Sequence, residues 1–150
     1  MAIPASKPLV YDRNKAVSYA NQYCSKPNPN YIEQKSVDCT NFASQVLYAG
    51  GIPMDNSWRP DKRAWVDVDY FYGYLISSKL AKECQLAELR PGDFIQYRSP
   101  NADKTNFHHT VIVVKGGQNP IVDSHSQNAC NKSHSYFRGK DYFRSLCIIK

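Results

Sequence analysis

Five cysteines and four histidines carry most of the chemistry open to this chain: Cys24, Cys39, Cys84, Cys130 and Cys147, with His108, His109, His125 and His134. Cysteine attacks as the thiolate, whereas a free thiol is mostly protonated at neutral pH. A helix N-terminus and a neighbouring imidazole both favour the thiolate. Cys39 follows Asp38, a residue suited to capping a helix, and precedes Phe42, Ala43, Val46, Leu47 and Ala49, which recur at helical spacing. This pattern predicts a helix with Cys39 in its first turn. Backbone N–H groups there offer an anion site, and the Cys39 amide would face a developing oxyanion. A lone cysteine near a helix end is ordinarily a small buried apolar residue; the histidines favour the chemical reading.

His109 opens an expected strand, His109–Lys115, and His125 closes the next, Ile121–His125. In a hairpin the start of the first strand lies beside the end of the second, so the two imidazoles become neighbours. A helix whose N-terminus packs at that end brings Cys39 to His109. The expected roles are Cys39 as nucleophile, His109 as general base, and His125 holding the His109 ring in its working tautomer. Asp123 shares the strand face of His125 and is the carboxylate competitor for third place. His108 and His109 point to opposite faces of a strand. His109 is preferred because it alternates with Val111 and Val113, leaving His108 at the rim. His134 lies in a polar segment and is expected in solvent.

Those side chains need elements to position them. Ala16, Val17, Ala20 and Tyr23 predict an amphipathic helix over residues 11–23, halted by the prolines of Ser25–Tyr31. The Cys39 helix is expected within Ser36–Gly51 and ends at the Gly50–Gly51 pair. A third helix is expected over Val66–Leu80. Leu89–Asp93 reads as a turn, and strands follow at Phe94–Tyr97, His109–Lys115, Ile121–His125 and Tyr142–Ile149. Helices first and a mainly antiparallel sheet afterwards give an α+β class. One domain over residues 1–150 is expected, with no repeat and no linker.

Composition narrows the partners. The 150 residues are 42% hydrophobic and 21% charged, as in an ordinary soluble globular protein. No apolar run approaches the roughly 20 residues needed to span a bilayer, so no membrane span is expected. Met1–Pro8 shows no signal-peptide core. The charge of +6 and pI of about 9.1 point weakly to anionic surroundings such as an acidic cell-wall polymer. Lys and Arg are dispersed, which argues against a nucleic-acid partner. The odd cysteine count leaves at least one thiol without an internal partner, and no CxxC suggests a zinc knuckle or redox pair. Disulfides among Cys24, Cys84, Cys130 and Cys147 cannot be assigned from spacing. Asp67 and Asp69 are too small a group for a carboxylate metal site; no cofactor is expected.

Asp38–Phe42 (DCTNF), continuing through SQVLYAGGIPM, resembles the signature of the bacterial putative amidase domain family, within the papain-like, NlpC-type cell-wall hydrolases. Tyr11–Ala20 (YDRNKAVSYA), Asn28–Tyr31 (NPNY), Pro91–Tyr97 (PGDFIQY), His108–Val114 (HHTVIVV) and Ser124–His125 match further pieces in the family's order. The resemblance implies a papain-like fold, in which a helix bearing the nucleophile packs on an antiparallel sheet bearing histidine. It implies hydrolysis of an amide bond in peptidoglycan, within stem peptides or at the sugar–peptide junction. By motif position Cys39 takes the nucleophile's place and His109 the base's. His125 matches the third place best, with Asn128 close behind it as an amide orienter. Tyr31 and Asn41 are secondary candidates for oxyanion or substrate binding. Trp58 and Trp65, with Arg59, Lys62 and Arg63 between them, could line a groove for an acidic peptide or glycan.

The expected function is therefore a cell-wall amidase or endopeptidase, secreted or delivered to the bacterial periplasm as an antibacterial effector. Peptidoglycan or a peptide would be its substrate, and an inhibitor or immunity protein its protein partner. The same Cys–His site would serve a deamidase, isopeptidase or acyltransferase acting on protein or lipid. A different class, a metal-binding or non-catalytic recognition module, would use Cys39, His109 and His125 as zinc ligands.

Overall fold

The structure, a computed structural model, describes residues 8–34 and 37–150. The leader reading of Met1–Pro8, apart from Pro8, and the placement of Ser36 lie outside the described residues. Two longer helices come first: α1 (Arg13–Tyr23) and α2 (Cys39–Ala49). α1 begins where Asp12 accepts the Lys15 N–H, an N-cap that satisfies an orphan donor. α2 ends at Gly50, whose added Cβ would lie 2.2 Å from the Tyr11 ring, and Gly51 turns the chain at φ +101°. Both glycines are thus required by close approach and by backbone conformation.

The expected third helix over Val66–Leu80 is found as one helix that starts two residues later. Asp67 caps it with extended backbone (φ −108°, ψ 132°) and accepts from the Asp69 and Tyr70 N–H groups. A short α3 (Arg63–Val66) precedes this cap and α4 (Val68–Ser77) follows it. An aspartate that can bond two forward N–H groups starts a helix better than it continues one.

The remaining elements are β1 (Ala81–Cys84), β2 (Phe94–Arg98), β3 (His109–Lys115), β4 (Ile121–Ser124), β5 (Ala129–Ser133), α5 (His134–Arg138) and β6 (Tyr142–Ile148), with a single 3₁₀ turn at Leu86–Glu88. The strands form one six-stranded antiparallel sheet in the order β1-β6-β2-β3-β4-β5. Its helix-facing side supplies Phe94, Ile112 and Leu146 to a core with Phe42, Val46, Leu47 and Phe71. The other side carries a second cluster of Ile95, Tyr97, Val111, Val113 and Val122. The fold is α+β and papain-like, with helices packed on a mainly antiparallel sheet.

Asp93, from the turn before β2, ties these layers together. It is fully buried, pairs with Arg13 at 2.9 Å, and accepts the Arg90 and Ile148 N–H groups. Disulfides Cys24–Cys130 and Cys84–Cys147 fasten α1 to β5 and β1 to β6. Cys39 is left as the free cysteine.

Candidate active site

Cys39 is the first residue of α2 and is 1% exposed. The buried Thr40 places its hydroxyl 3.8 Å from Sγ. On β3, pairing with β4 runs only to Ile112, opposite Asp123. Beyond that point the Thr110 N–H faces the Cys39 sulfur. Burial pushes the Cys39 thiol up, and the Thr110 N–H, the Thr40 hydroxyl and the Thr40 N–H offset this only in part. The thiol is therefore neutral in this arrangement.

Asp38 precedes Cys39 at the cap position, but its side chain makes no cap bond. Its carboxylate instead accepts from His125 Nδ1 at 2.6 Å, Asn41 Nδ2 at 2.8 Å and the Gln34 N–H at 2.8 Å. Burial alone would raise its pKa. The bonds from His125, Asn41 and Gln34 outweigh that and hold the carboxyl below the usual carboxylate range. His125 is 2% exposed and stacks on Phe42 with 3.8 Å between ring centroids and 5° between planes. Its Nε2 lies 2.5 Å from the Tyr23 carbonyl. A carboxylate and a carbonyl both accept, so each nitrogen of the His125 ring faces an acceptor.

His109 lies elsewhere. Its Nε2 meets Ser124 Oγ at 3.0 Å, and its ring packs near Tyr97 and Phe137. Burial lowers its pKa to about 4, with the neighbouring His108 adding to the effect. The ring is thus neutral and able to accept a proton. Among the described residues, Cys39 Sγ makes no hydrogen bond to an imidazole.

The expected contact between His109 and His125 is corrected by the register. A bulge between Val113 and Lys115 sets Ile112 opposite Asp123 and Val113 opposite Val122. Continued to the strand ends, that register places His125 across from Thr110, on the helix side. His109 alternates with Val111 and Val113, as expected, but those valines belong to the cluster on the far side of the sheet. One extra residue in a strand exchanges its faces relative to its partner. His125 consequently serves Asp38, and Ser124 takes the bond to His109. Cys39, His109 and His125 do not converge as a ligand set.

The other expected residues divide. Asn41 is buried and spends its amide on the Ile32 carbonyl, Asp38 and the Trp65 indole N–H. Tyr31 stacks on Trp65 at 6.0 Å and, with Asn41 and Ile32, lines a cleft of about 350 Å³. A second cleft of about 410 Å³ is lined by Val37, Val66, Val68, Phe107 and His108. Trp58 and Trp65 line no groove: both are fully buried, and Trp58 donates to Ser44 Oγ while Trp65 donates to Asn41. Their large apolar surfaces close the core around α2. Asp123 is buried and accepts the Asn131 N–H, and Asn128 donates to the Ser25 carbonyl. His134, expected in solvent, is 4% exposed and bonds Tyr97 Oη at 2.7 Å. His108 is exposed and pairs with Asp141 at 2.8 Å, as a rim residue would. Sequence reasoning missed Thr40, Thr110, Gln96 and Ser124. The alternation of β3 could have put Thr110 on the helix side, because Ile112 and Val114 follow it there.

Comparison with known proteins agrees with this architecture. The family model described as "Putative amidase domain" matches residues 10–147. The uncharacterized protein YjcM of Bacillus subtilis (strain 168) is 30% identical over 151 residues, covering 94% of this chain and 37% of the relative. The uncharacterized protein YhbB of the same organism is 32% identical over 154 residues, covering 91% of this chain and 48% of the relative. The chain thus spans less than half the length of these curated relatives. A chain of the type VI native effector–immunity complex Tae3–Tai3 from Ralstonia pickettii matches with a TM-score of 0.51 at 15% identity, over 93% of this chain and 100% of that chain. That likeness is one of fold.

Proposed function

Because the chain belongs to the putative amidase domain family, we propose that it hydrolyses amide bonds of bacterial peptidoglycan through Cys39. The observation that carries this reading is the position of Cys39. It is the free cysteine at the first residue of a helix, with the N–H groups of Thr40 and Thr110 turned toward its sulfur. The thiolate attacks the carbonyl carbon, the C–N bond breaks, the amine leaves with a proton, and water releases the acid from the thioester. The same N–H groups suit the oxyanion of each tetrahedral intermediate.

His109 is the proposed base. It is neutral, it begins β3, and its carbonyl belongs to the same peptide as the Thr110 N–H that faces Sγ. In this reading the His109 end of β3 rearranges, so that the ring leaves Ser124, passes to the helix side and takes the thiol proton. The His125–Asp38 contact fixes the start of α2, and the Asp38 carboxylate beside the sulfur adds to burial in keeping the resting thiol protonated. A second reading rests on one observation: His125 shares the helix side with Cys39 and already has a carboxylate partner. Loss of activity in a folded His125 variant, together with retained activity in His109→Ala, would favour His125 as the base.

The charge of +6 suits an anionic wall polymer, and the fold neighbour is part of an effector–immunity complex. These support delivery to the periplasm as an antibacterial effector countered by an immunity protein. No helix among the described residues is long and apolar enough to cross a membrane. The test is digestion of purified peptidoglycan with mass spectrometry of the fragments. New amines from a single amide class, absent with Cys39→Ala, are expected; unchanged products with Cys39→Ala would remove Cys39 from the mechanism.

A further inference from the structure

A buried chain of polar side chains leads from a cation to the Cys39 sulfur, and its partners fix the direction of each bond. Gln96, on β2, is fully buried. Its Oε1 lies 2.8 Å from Arg144 Nε, which can only donate. Its Nε2 lies 3.1 Å from the Val68 carbonyl, which can only accept. The amide orientation is therefore settled by its neighbours, and its second N–H donates to Thr110 Oγ1 at 3.1 Å. Thr110 Oγ1 is 3.0 Å from Thr40 Oγ1. Since Thr110 already accepts from Gln96, both hydroxyl protons are used only if Thr110 donates to Thr40 and Thr40 donates to Cys39 Sγ.

Resting on the reading of Cys39 as nucleophile, we propose that Thr40, Thr110, Gln96 and Arg144 form a one-way hydrogen-bond relay that presents a hydroxyl donor to the Cys39 thiolate. Thr40 and Thr110 are fully buried, so no water competes for the hydroxyls. Arg144 is held between the rings of Tyr72 and Phe107, each 3.6 Å from its guanidinium carbon, and pairs with Asp69 at 3.0 Å. A cation anchored in this way polarises every bond toward the sulfur. Thr110, Gln96 and Arg144 are positioning residues acting through Thr40. The charged group acting on Sγ is Asp38 before α2; of the histidines on the neighbouring elements, His125 after β4 faces Asp38 and His109 on β3 faces Ser124. A donor to sulfur favours the charged form, as a hydrogen bond to any anion does.

Cys39 is the cysteine outside the disulfides, so iodoacetamide labelling followed by intact mass reports on it alone. The alkylation rate is measured against pH for the wild type, Thr40→Val, Thr40→Ser and Thr110→Val. The relay predicts that both valine variants move the midpoint upward by about one pH unit, a roughly tenfold slower reaction below it, with the high-pH plateau unchanged. Thr40→Ser should follow the wild type. A merely structural role would alter the plateau through access and leave the midpoint in place, and coinciding midpoints in the valine variants overturn the relay. If Thr40→Val does not fold, Thr110→Val and Gln96→Met decide by the same midpoint. The readout is independent of hydrolysis: activity surviving in Cys39→Ala would sink the proposed function and leave the relay to be judged by its own titration.

Discussion

His125 Nδ1 and Asp38 Oδ2 meet at 2.6 Å immediately before the candidate nucleophile, both side chains being almost wholly buried. The pair joins the end of β4 to the start of α2, and the stack of His125 on Phe42 locks the contact. Removing one partner leaves a buried charge alone, which costs about 3–5 kcal/mol. His125→Ala and Asp38→Ala should each lower stability by that order in denaturant unfolding. The double variant should lose much less than the sum, giving a coupling energy of roughly 1–3 kcal/mol. Additive losses would show that the two side chains do not act as a pair.

His109 and Ser124 provide a second test. If the base must leave Ser124 to reach Cys39, then Ser124→Ala leaves kcat unchanged or raises it. His109→Ala should lower kcat by roughly 10²–10⁴-fold, the usual contribution of a positioned base. A tenfold or larger drop in Ser124→Ala would make Ser124 an orienter of a ring that already stands in its working place.

The two disulfides should differ in consequence. Cys24–Cys130 adjoins Tyr23, whose carbonyl accepts from His125, whereas Cys84–Cys147 links two strands away from the site. Opening either should cost about 2–5 kcal/mol by freeing the unfolded chain. Thermal unfolding of Cys24→Ser/Cys130→Ser and of Cys84→Ser/Cys147→Ser measures that loss. Assays well below both midpoints should show reduced turnover only for the first pair. Equal activity in the two would separate the disulfide from the site.

Stability should fall on acidification through two histidines. Burial lowers both His109 and His134 from 6.5 to about 4. Between those values the unfolded chain binds the protons that the folded one refuses. Their contribution is complete above about pH 6.5 and is lost as the pH falls toward about 4. The depressed Asp38 carboxyl extends the loss below its unfolded value, since its contribution disappears as the pH drops through its folded pKa. Asp93 and Asp123, whose carboxyls burial raises, act in the opposite sense, so the histidine part is read from the difference between variants: His134→Gln should lower the upward slope by about one proton. An unchanged slope in that variant would contradict the burial of the neutral His134 ring.

Much of the fold was legible because periodicity and turn chemistry agree in α1, α2, β2, β3 and β6. The start of α4 reads two residues early because the apolar spacing continues across Asp67, and only the aspartate's forward bonds mark the cap. β1 and β5 are short, polar edge strands, whose residues carry little alternation to detect. In the site, Cys39 at a helix start could be read from Asp38 and the apolar run behind it. The faces of His109 and His125 could not, because the bulge near Val114 leaves no mark in composition and reverses their relation. Trp58 and Trp65 looked like groove residues because basic residues lie between them. Their burial depends on Ser44 and Asn41 one layer away, a contact that no local pattern encodes.

In the proposed reaction Cys39 forms a covalent bond with its substrate. The direct measurement is acid quenching during turnover, followed by mass spectrometry of the protein. It predicts an acyl adduct on the peptide containing Cys39, labile to hydroxylamine, and none on Cys39→Ala, whose turnover falls at least about a thousandfold. Turnover at the wild-type rate in Cys39→Ala, with no adduct at any time in either protein, would contradict it.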